Sequence, residues 1–331
     1  MENRTLPSAQ QIIKWTFLIA GIALAIKVVA DMKDLFFSLF IAYIFMSAAK
    51  QPVHYLQSKK IPRPAAVFLF YGACVFILIF IISTLIPVFV NEIILFAKYF
   101  PQIVETIGGT FPSVRELLST TSLLPSATNQ VVSVIRALVG NVFFFMSTIF
   151  FSIYFTLDER FLKKTVQPIL TKDQLLVFER IEERAEKRLG SWLTGQLTLM
   201  FAVGILSFIA FSLAGIHYAL PLALIAGLLE VVPNIGPTLA AIPAILVGVS
   251  QNPVLGGVAL GIAVLVQQIE NNILVPLVMN KATGLHPVVT LIALLVGGRY
   301  GGVLGVLLAI PITLVAETII SEIHSEGKKN T

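Results

Sequence analysis

The chain has one cysteine, Cys74, in 331 residues. That excludes a disulfide within the chain and a cysteine zinc cluster. The four histidines, His54, His217, His286 and His324, are scattered without metal-ligand spacing. Charge is also scarce: Asp, Glu, Lys and Arg make up 12% of the residues, against roughly 25% in soluble domains. There is no Walker loop, no His-Glu-x-x-His and no Gly-x-Ser-x-Gly. These absences leave no expectation of an enzyme, a cofactor or a bound metal.

What fills the chain instead is apolar: 56% hydrophobic residues and a mean hydropathy of +0.90. A soluble fold with this composition could not cover itself with polar surface. A soluble enzyme, a disordered chain and a nucleic-acid module are excluded. The net charge of +5 reads as membrane topology, with no nucleic-acid partner.

A transmembrane helix needs about 20 apolar residues. Spans are expected at Ile12 to Ala30, Leu35 to Ala49, Ala65 to Ile86, Val142 to Leu157 and Trp192 to Ala214. The first has the Lys14 and Ala23-Leu24-Ala25 pattern of a signal peptide, but the many spans behind it argue for a membrane helix. Basic residues cluster after span two (Lys50, Lys59, Lys60, Arg63), after span four (Arg160 to Arg188) and in the tail (Lys328, Lys329). The positive-inside rule makes these sides and both termini cytoplasmic. The segment 87–141 is then external. The segment 171–189 reads as a cytoplasmic amphipathic helix with the stripe Leu175, Phe178, Ile181, Ala185 and Leu189, a solvated connector docked on the headgroups. Glu182-Glu183 superficially matches the paired glutamates of membrane-embedded prenyl-protein proteases, but Lys187 stands where their arginine belongs. Residues 1–190 form one unit of membrane helices, and 191–324 the transport core.

The last third carries the strongest pattern. Gly215-Ile216-His217 and Gly284-Leu285-His286 are 69 residues apart, and Gly236 matches Gly305 at the same offset. The segments 215–249 and 284–323 read as two copies of one broken or re-entrant hairpin. The first breaks at Pro233-Asn234-Ile235-Gly236-Pro237, the second at Gly297-Gly298-Arg299-Tyr300-Gly301-Gly302. Two prolines remove two backbone donors, and bare backbone at membrane depth is tolerated only inside protein or beside a watery cavity. One long span between the copies, Pro253 to Asn280, would invert the second copy relative to the first, as in secondary transporters. Pairs such as Gly257/Gly261, Gly297/Gly301 and Gly298/Gly302 suit close helix packing or sliding.

Polar residues stand out against this background. At the 69-residue offset Glu230 faces Arg299, as a gating pair or a locking salt bridge. The long span carries Gln267, Gln268, Glu270, Asn271 and Asn272, an arc too wide to face lipid, and Pro276 frees the Asn272 carbonyl. This set suits a neutral polyhydroxy solute or a small cation; interhelical hydrogen bonding is the plainer use. Candidate binding residues are Gln267, Glu270, Asn271, Asn272, Asn234, Glu230 and Arg299. Candidate hinge or gate residues are Pro233, Gly236, Pro237, Pro276, Gly297, Gly298, Gly301 and Gly302.

The motifs Glu230-Val231-Val232-Pro233-Asn234-Ile235-Gly236-Pro237, Gln267-Gln268-Ile269-Glu270-Asn271-Asn272 through Pro276, and Gly284-Leu285-His286-Pro287 resemble the signature of the autoinducer-2 exporter family of bacterial membrane proteins. The likeness covers the whole chain in span order; in the first half it rests on layout. It implies an all-α polytopic protein of the bacterial inner membrane, with about eight membrane segments and a homo-oligomeric assembly. It implies export of autoinducer-2 or a similar small polar solute by alternating access. Relatives described as sodium or lithium/proton antiporters keep coupling to protons or sodium open, and Glu270 or Glu230 is the carboxylate such exchange needs.

Overall fold

A computed structural model describes residues 32–80, 142–233, 235–279 and 284–327, with a few isolated positions elsewhere. The external segment expected at 87–141 and nearly all of the first span lie outside the described residues. Among the described residues all regular structure is helical, with no strand. Helix α1 is Lys33–Ser58, α2 Arg63–Phe80, α3 Val142–Leu157, α4 Phe161–Val166 and α5 Lys172–Leu213. Then follow α6 Ala219–Leu229, α7 Ile235–Gln251, α8 Pro253–Ile269, a π-helical turn at Glu270–Leu274, α9 Val275–Met279 and α10 Pro287–Gly327. Among the described residues five helices are long and apolar enough to cross a membrane. The chain is a polytopic, all-α membrane protein.

The amphipathic segment and the fifth span, read separately in the sequence, form one helix. Its 42 residues reach about 63 Å, twice the ~30 Å bilayer core. The start was legible: Thr171 accepts from the Gln174 backbone N–H while the Gln174 side chain accepts from the Thr171 N–H, a reciprocal cap. The middle runs on because Gly190 is not a break. Any Cβ there would press on the Ser47 carbonyl of α1, so the glycine serves helix approach.

The apolar stripe of α5 grows more buried along the helix, from half-buried Leu175 to buried Ala185 and Leu189. Its charged face docks onto protein. Arg184 pairs with Glu322, Arg180 with Glu326, and Arg188 with Glu317 at 2.6 Å, all on α10. Lys50 of α1 pairs with Glu186. Glu322 is 3% exposed at its side chain, so its charge depends on these arginines. Removing one partner of a buried pair leaves an uncompensated charge. On the other side, α3 meets α1 and α2 through hydroxyls. Ser38 hydrogen-bonds Thr148 at 2.9 Å, and Tyr71 hydrogen-bonds Ser152 at 2.5 Å and Thr156 at 2.8 Å. Such contacts satisfy polar groups where no water is available.

Two hairpins occupy the last third, as expected. The arms α6 and α7 have 11 and 17 residues, about 16 and 25 Å, so neither crosses the ~30 Å core alone. In α10 the helix is interrupted at Gly302, at φ 57° and ψ −140°, a conformation that L side chains avoid. The chain doubles back there, because Gly297 and Gly305 are in backbone contact, whereas eight residues along one helix would separate them by about 12 Å. The two hairpins share details at the 69-residue offset. Gly215 and Gly284 both have positive φ. Gly302 stands at the position of Pro233. Gly236 abuts the Leu229 carbonyl just as Gly305 abuts that of Gly297. The histidines fasten the hairpin starts: His286 Nδ1 accepts from the Val288 N–H at 3.3 Å, and the Gln251 amide reaches His217. Gly257 and Gly261, by contrast, have no other chain atoms around the Cβ position.

Gly236→Ala and Gly305→Ala should each destabilise the protein by roughly 1–3 kcal/mol through overpacking against fixed carbonyls. Gly257→Ala, in open space within a helix, should be neutral or stabilise by roughly 0.5–1 kcal/mol. Thermal unfolding in detergent orders the three; equal shifts would remove the tight-hairpin account. Arg184→Gln should cost about 3 kcal/mol by leaving buried Glu322 with only the longer Arg180 contact at 3.7 Å. The double variant Arg184→Gln/Glu322→Gln should recover most of that loss in the same assay.

Candidate functional site

A cavity of about 160 Å³ lies where α5, the first hairpin turn and the π-turn meet. Trp192, Gln196 and Leu199 line it from one face of α5, by i, i+4, i+7 spacing. Glu230 and Pro233 come from the hairpin turn, Glu270 and Asn271 from the π-turn, and Val275 and Met279 from α9. Leu285, Thr290 and Ile310 complete the wall. Among the described residues no lysine, arginine or histidine lines it.

Each wall has a local cause. Glu230 ends α6, where a helix leaves carbonyls without intrahelical partners. The Gln196 side-chain N–H donates to the Glu230 backbone carbonyl at 2.6 Å, tying the turn to α5. The turn closes on itself through Val232 N–H to Leu229 O at 3.0 Å and Gly236 N–H to Val232 O at 2.8 Å. In the long span, Pro276 cannot donate to the Asn272 carbonyl. The ladder widens there, with the Val275 N–H reaching back five residues to the Glu270 carbonyl. Such a turn inserts one residue into the helical register. It changes which side chains share a face.

The polar arc therefore divides. Glu270, 2% exposed, and Asn271 line the cavity. Asn272 instead turns to Gln268, donating to its backbone and side-chain oxygens at 2.9 and 3.0 Å. Gln267 is half-buried and away from the cavity wall. The carboxyls of Glu230 and Glu270 share the cavity. Glu230 and Arg299 form no ion pair among the described residues. Glu230 is 1% exposed, whereas Arg299 lies on the exposed surface of α10, before the turn at Gly302. Offset matching placed Arg299 at a hairpin tip, but the reversal falls three residues later. Asn234 lies outside the described residues. Gly236 and Gly305 seat the returning arms, Gly302 makes the second turn, and Gly297 receives Gly305. Gly298 lies against Val306, and Gly301 against Phe37 of α1. Pro237 is half-buried beside the first turn.

Eight lining residues lie outside the candidate set, Trp192, Gln196, Met279 and Thr290 among them. One signal was present. Gln196 is the only carboxamide in an otherwise apolar span, and its α5 face carries the indole one turn before it. The arrangement has a clear chemical bias. Buried polar atoms without hydrogen-bond partners on cavity residues are Trp192 Nε1, Gln196 Oε1, both Glu230 carboxyl oxygens and Glu270 Oε2. That set is one donor and four acceptors. Among the described residues no three His, Cys, Asp or Glu side chains form a metal-binding group. The site can hold a donor-rich or positively charged small molecule.

A polytopic membrane fold with broken hairpins around a polar cavity is the architecture of a membrane transporter. The chain belongs to the family described as AI-2E family transporter, whose model matches residues 12–325. It is similar to "Putative transport protein YueF" of Bacillus subtilis, at 27% identity over 93% of this chain and 92% of that protein. "Putative transport protein YrrI" of the same organism is 25% identical, over 86% and 84%. "Putative transport protein YhhT" of Escherichia coli is 31% identical over a shorter stretch, 40% of this chain and 39% of that protein. Membrane transport is thus the function of the class.

Two substitutions separate binding groups from packing groups. Trp192→Phe removes a buried donor that has no partner, which is neutral or stabilising for folding; the melting temperature should hold or rise while transport falls. Gln196→Leu removes the bond to the Glu230 carbonyl and should cost roughly 1–3 kcal/mol. A Trp192→Phe protein that melts lower by several degrees would make the indole a packing group only.

Proposed function

We propose that the protein is a secondary transporter that binds a small polar solute in the Glu230/Glu270 cavity and moves it outward by alternating access. The observation that carries this reading is the convergence of five unpartnered buried polar atoms on one cavity between two hairpins and a π-turn. Buried polar groups are costly without partners, and in an apolar interior such groups mark a transport pathway. Autoinducer-2 is the solute that the family description suggests. The hairpins supply the moving parts, turning at Pro233 and Gly302, with Gly236 and Gly305 as the surfaces that slide. The setting is the bacterial inner membrane, with both termini cytoplasmic and the chain in a homo-oligomer.

The presence of two buried carboxyls, Glu230 and Glu270, in one cavity favours a second reading, cation/proton exchange. Two carboxylates in one apolar cavity are costly together, and a cation or a proton relieves that cost.

The test is uptake of labelled autoinducer-2 into proteoliposomes of the purified protein, with Glu270→Gln alongside. Saturable uptake reduced at least tenfold in the variant is the expected result. Equal uptake in both proteins would remove the cavity from the pathway. Sodium-driven proton movement that Glu270→Gln abolishes, without solute uptake, would establish the second reading.

A further inference from the structure

The cavity also specifies a charge, a size and a balance of donors and acceptors, and these narrow the substrate beyond a small polar solute. We propose that it takes a small organic ammonium ion: a primary amine on a short carbon chain that also carries a hydroxyl or similar acceptor. This rests on the reading that the Glu230/Glu270 cavity is the transport site.

The charge comes first. Two carboxyl groups line the same cavity, both at least 98% buried, and among the described residues no basic side chain lines it. A buried carboxylate needs a counter-charge or several donors, and the described residues that line the cavity bring neither to the pair. A ligand with one positive charge supplies both. The donor count agrees. An ammonium offers three donors and no acceptor, matching the oxygens of Glu230, Glu270 and Gln196. The Trp192 N–H is the exception, because it needs an acceptor. A bare ammonium or a metal cation leaves it unanswered, whereas a hydroxyl on the ligand satisfies it.

Size excludes the simpler ions. A cavity of about 160 Å³ matches the apolar cavity of about 150 Å³ that accepts benzene. That is room for about six heavy atoms, far more than an alkali cation occupies. The remaining wall is apolar, with Leu199, Val275, Met279 and Leu285 among its members. Methylene groups pack there as the stems of long charged side chains do on apolar surfaces. A neutral polyol fits the volume but brings no charge, and it places hydroxyls against these side chains.

The probe is 3-amino-1-propanol, with 1,3-propanediol as the neutral isostere and sodium chloride as the ionic control. Binding is read calorimetrically on the purified full chain in detergent, and by tryptophan fluorescence in a Trp15→Phe background. The expected result is saturable binding of the amine at least tenfold tighter than the diol. Binding should weaken at least tenfold in Glu230→Gln and in Glu270→Gln, and sodium should not compete at equal concentration. On the wild-type protein alone, tetraethylammonium should fail to compete, since it has no N–H to donate and a bulkier body. That comparison stands even where a glutamine variant does not fold. Equal affinity for amine and diol overturns the ammonium class but leaves the cavity as a site for a neutral solute. Sodium binding without amine binding overturns it in favour of metal-cation exchange. Amine binding unchanged in both folded glutamine variants overturns it together with the transport site. Failure of the amine to bind overturns it as well.

Discussion

Two carboxyls buried in one cavity, in a protein whose interior holds few charges, are the constraint around which the last third is arranged. Placing Glu230 there requires α6 to stop after 11 residues, short of the bilayer width. Placing Glu270 there requires the helix after Pro253 to change register, and the π-turn ahead of Pro276 does this. Each element ends or bends where a regular helix would have kept its carboxyl away from the other. The Gln196 bond to the Glu230 carbonyl then ties the turn to α5. Local irregularity of this kind costs backbone hydrogen bonds. It persists where surrounding structure holds it and function uses it.

Much of this was legible from residue type, because polar residues in an apolar run are few and must be satisfied. Glu230, Pro233, Glu270 and Asn271 were picked out on that ground, and all four line the cavity. The end of α3 at Leu157 was readable because Asp158, Glu159 and Arg160 follow it. What the sequence hid depends on geometry that period counting does not contain. A spacing of 100° per residue puts Asn272 with Glu270, but the π-turn breaks that period and sends Asn272 back to Gln268. Pro276 was the one sign that the ladder would be disturbed. Arg299 seemed to oppose Glu230 because their positions match in the repeat. Equivalent positions in two hairpins need not touch, and the second turn belongs to Gly302. Trp192 and Gln196 were missed because one amide in a span is ordinarily packing glue.

The repeat itself gains physical content from its glycines. Chance similarity between apolar segments yields matched leucines and alanines, which any membrane helix contains. It does not readily place positive-φ glycines at Gly215 and Gly284, or give Gly236 and Gly305 the same pressure against a carbonyl of the preceding arm. These are requirements of backbone geometry, since a side chain at either contact would force the arms apart. The hairpins are therefore two solutions to one packing problem. They differ in the residue that turns the chain, proline-bounded in one and a left-handed glycine in the other.

The long helix α5 links this site to the charged end of the molecule. One continuous rod carries Trp192 and Gln196 at the cavity and Arg180, Arg184 and Arg188 at the contact with α10. The same α10 carries the second hairpin turn at Gly302. Any shift of the first hairpin that breaks the Gln196–Glu230 bond acts on α5, and α5 cannot move freely past α10 while Glu322 is held by its arginines. Surface ion pairs alone would be too weak for such a hold. Glu322 is buried, so releasing it is costly. One helix, α5, thus carries both the bond to the first hairpin turn and the arginine–glutamate contact with α10.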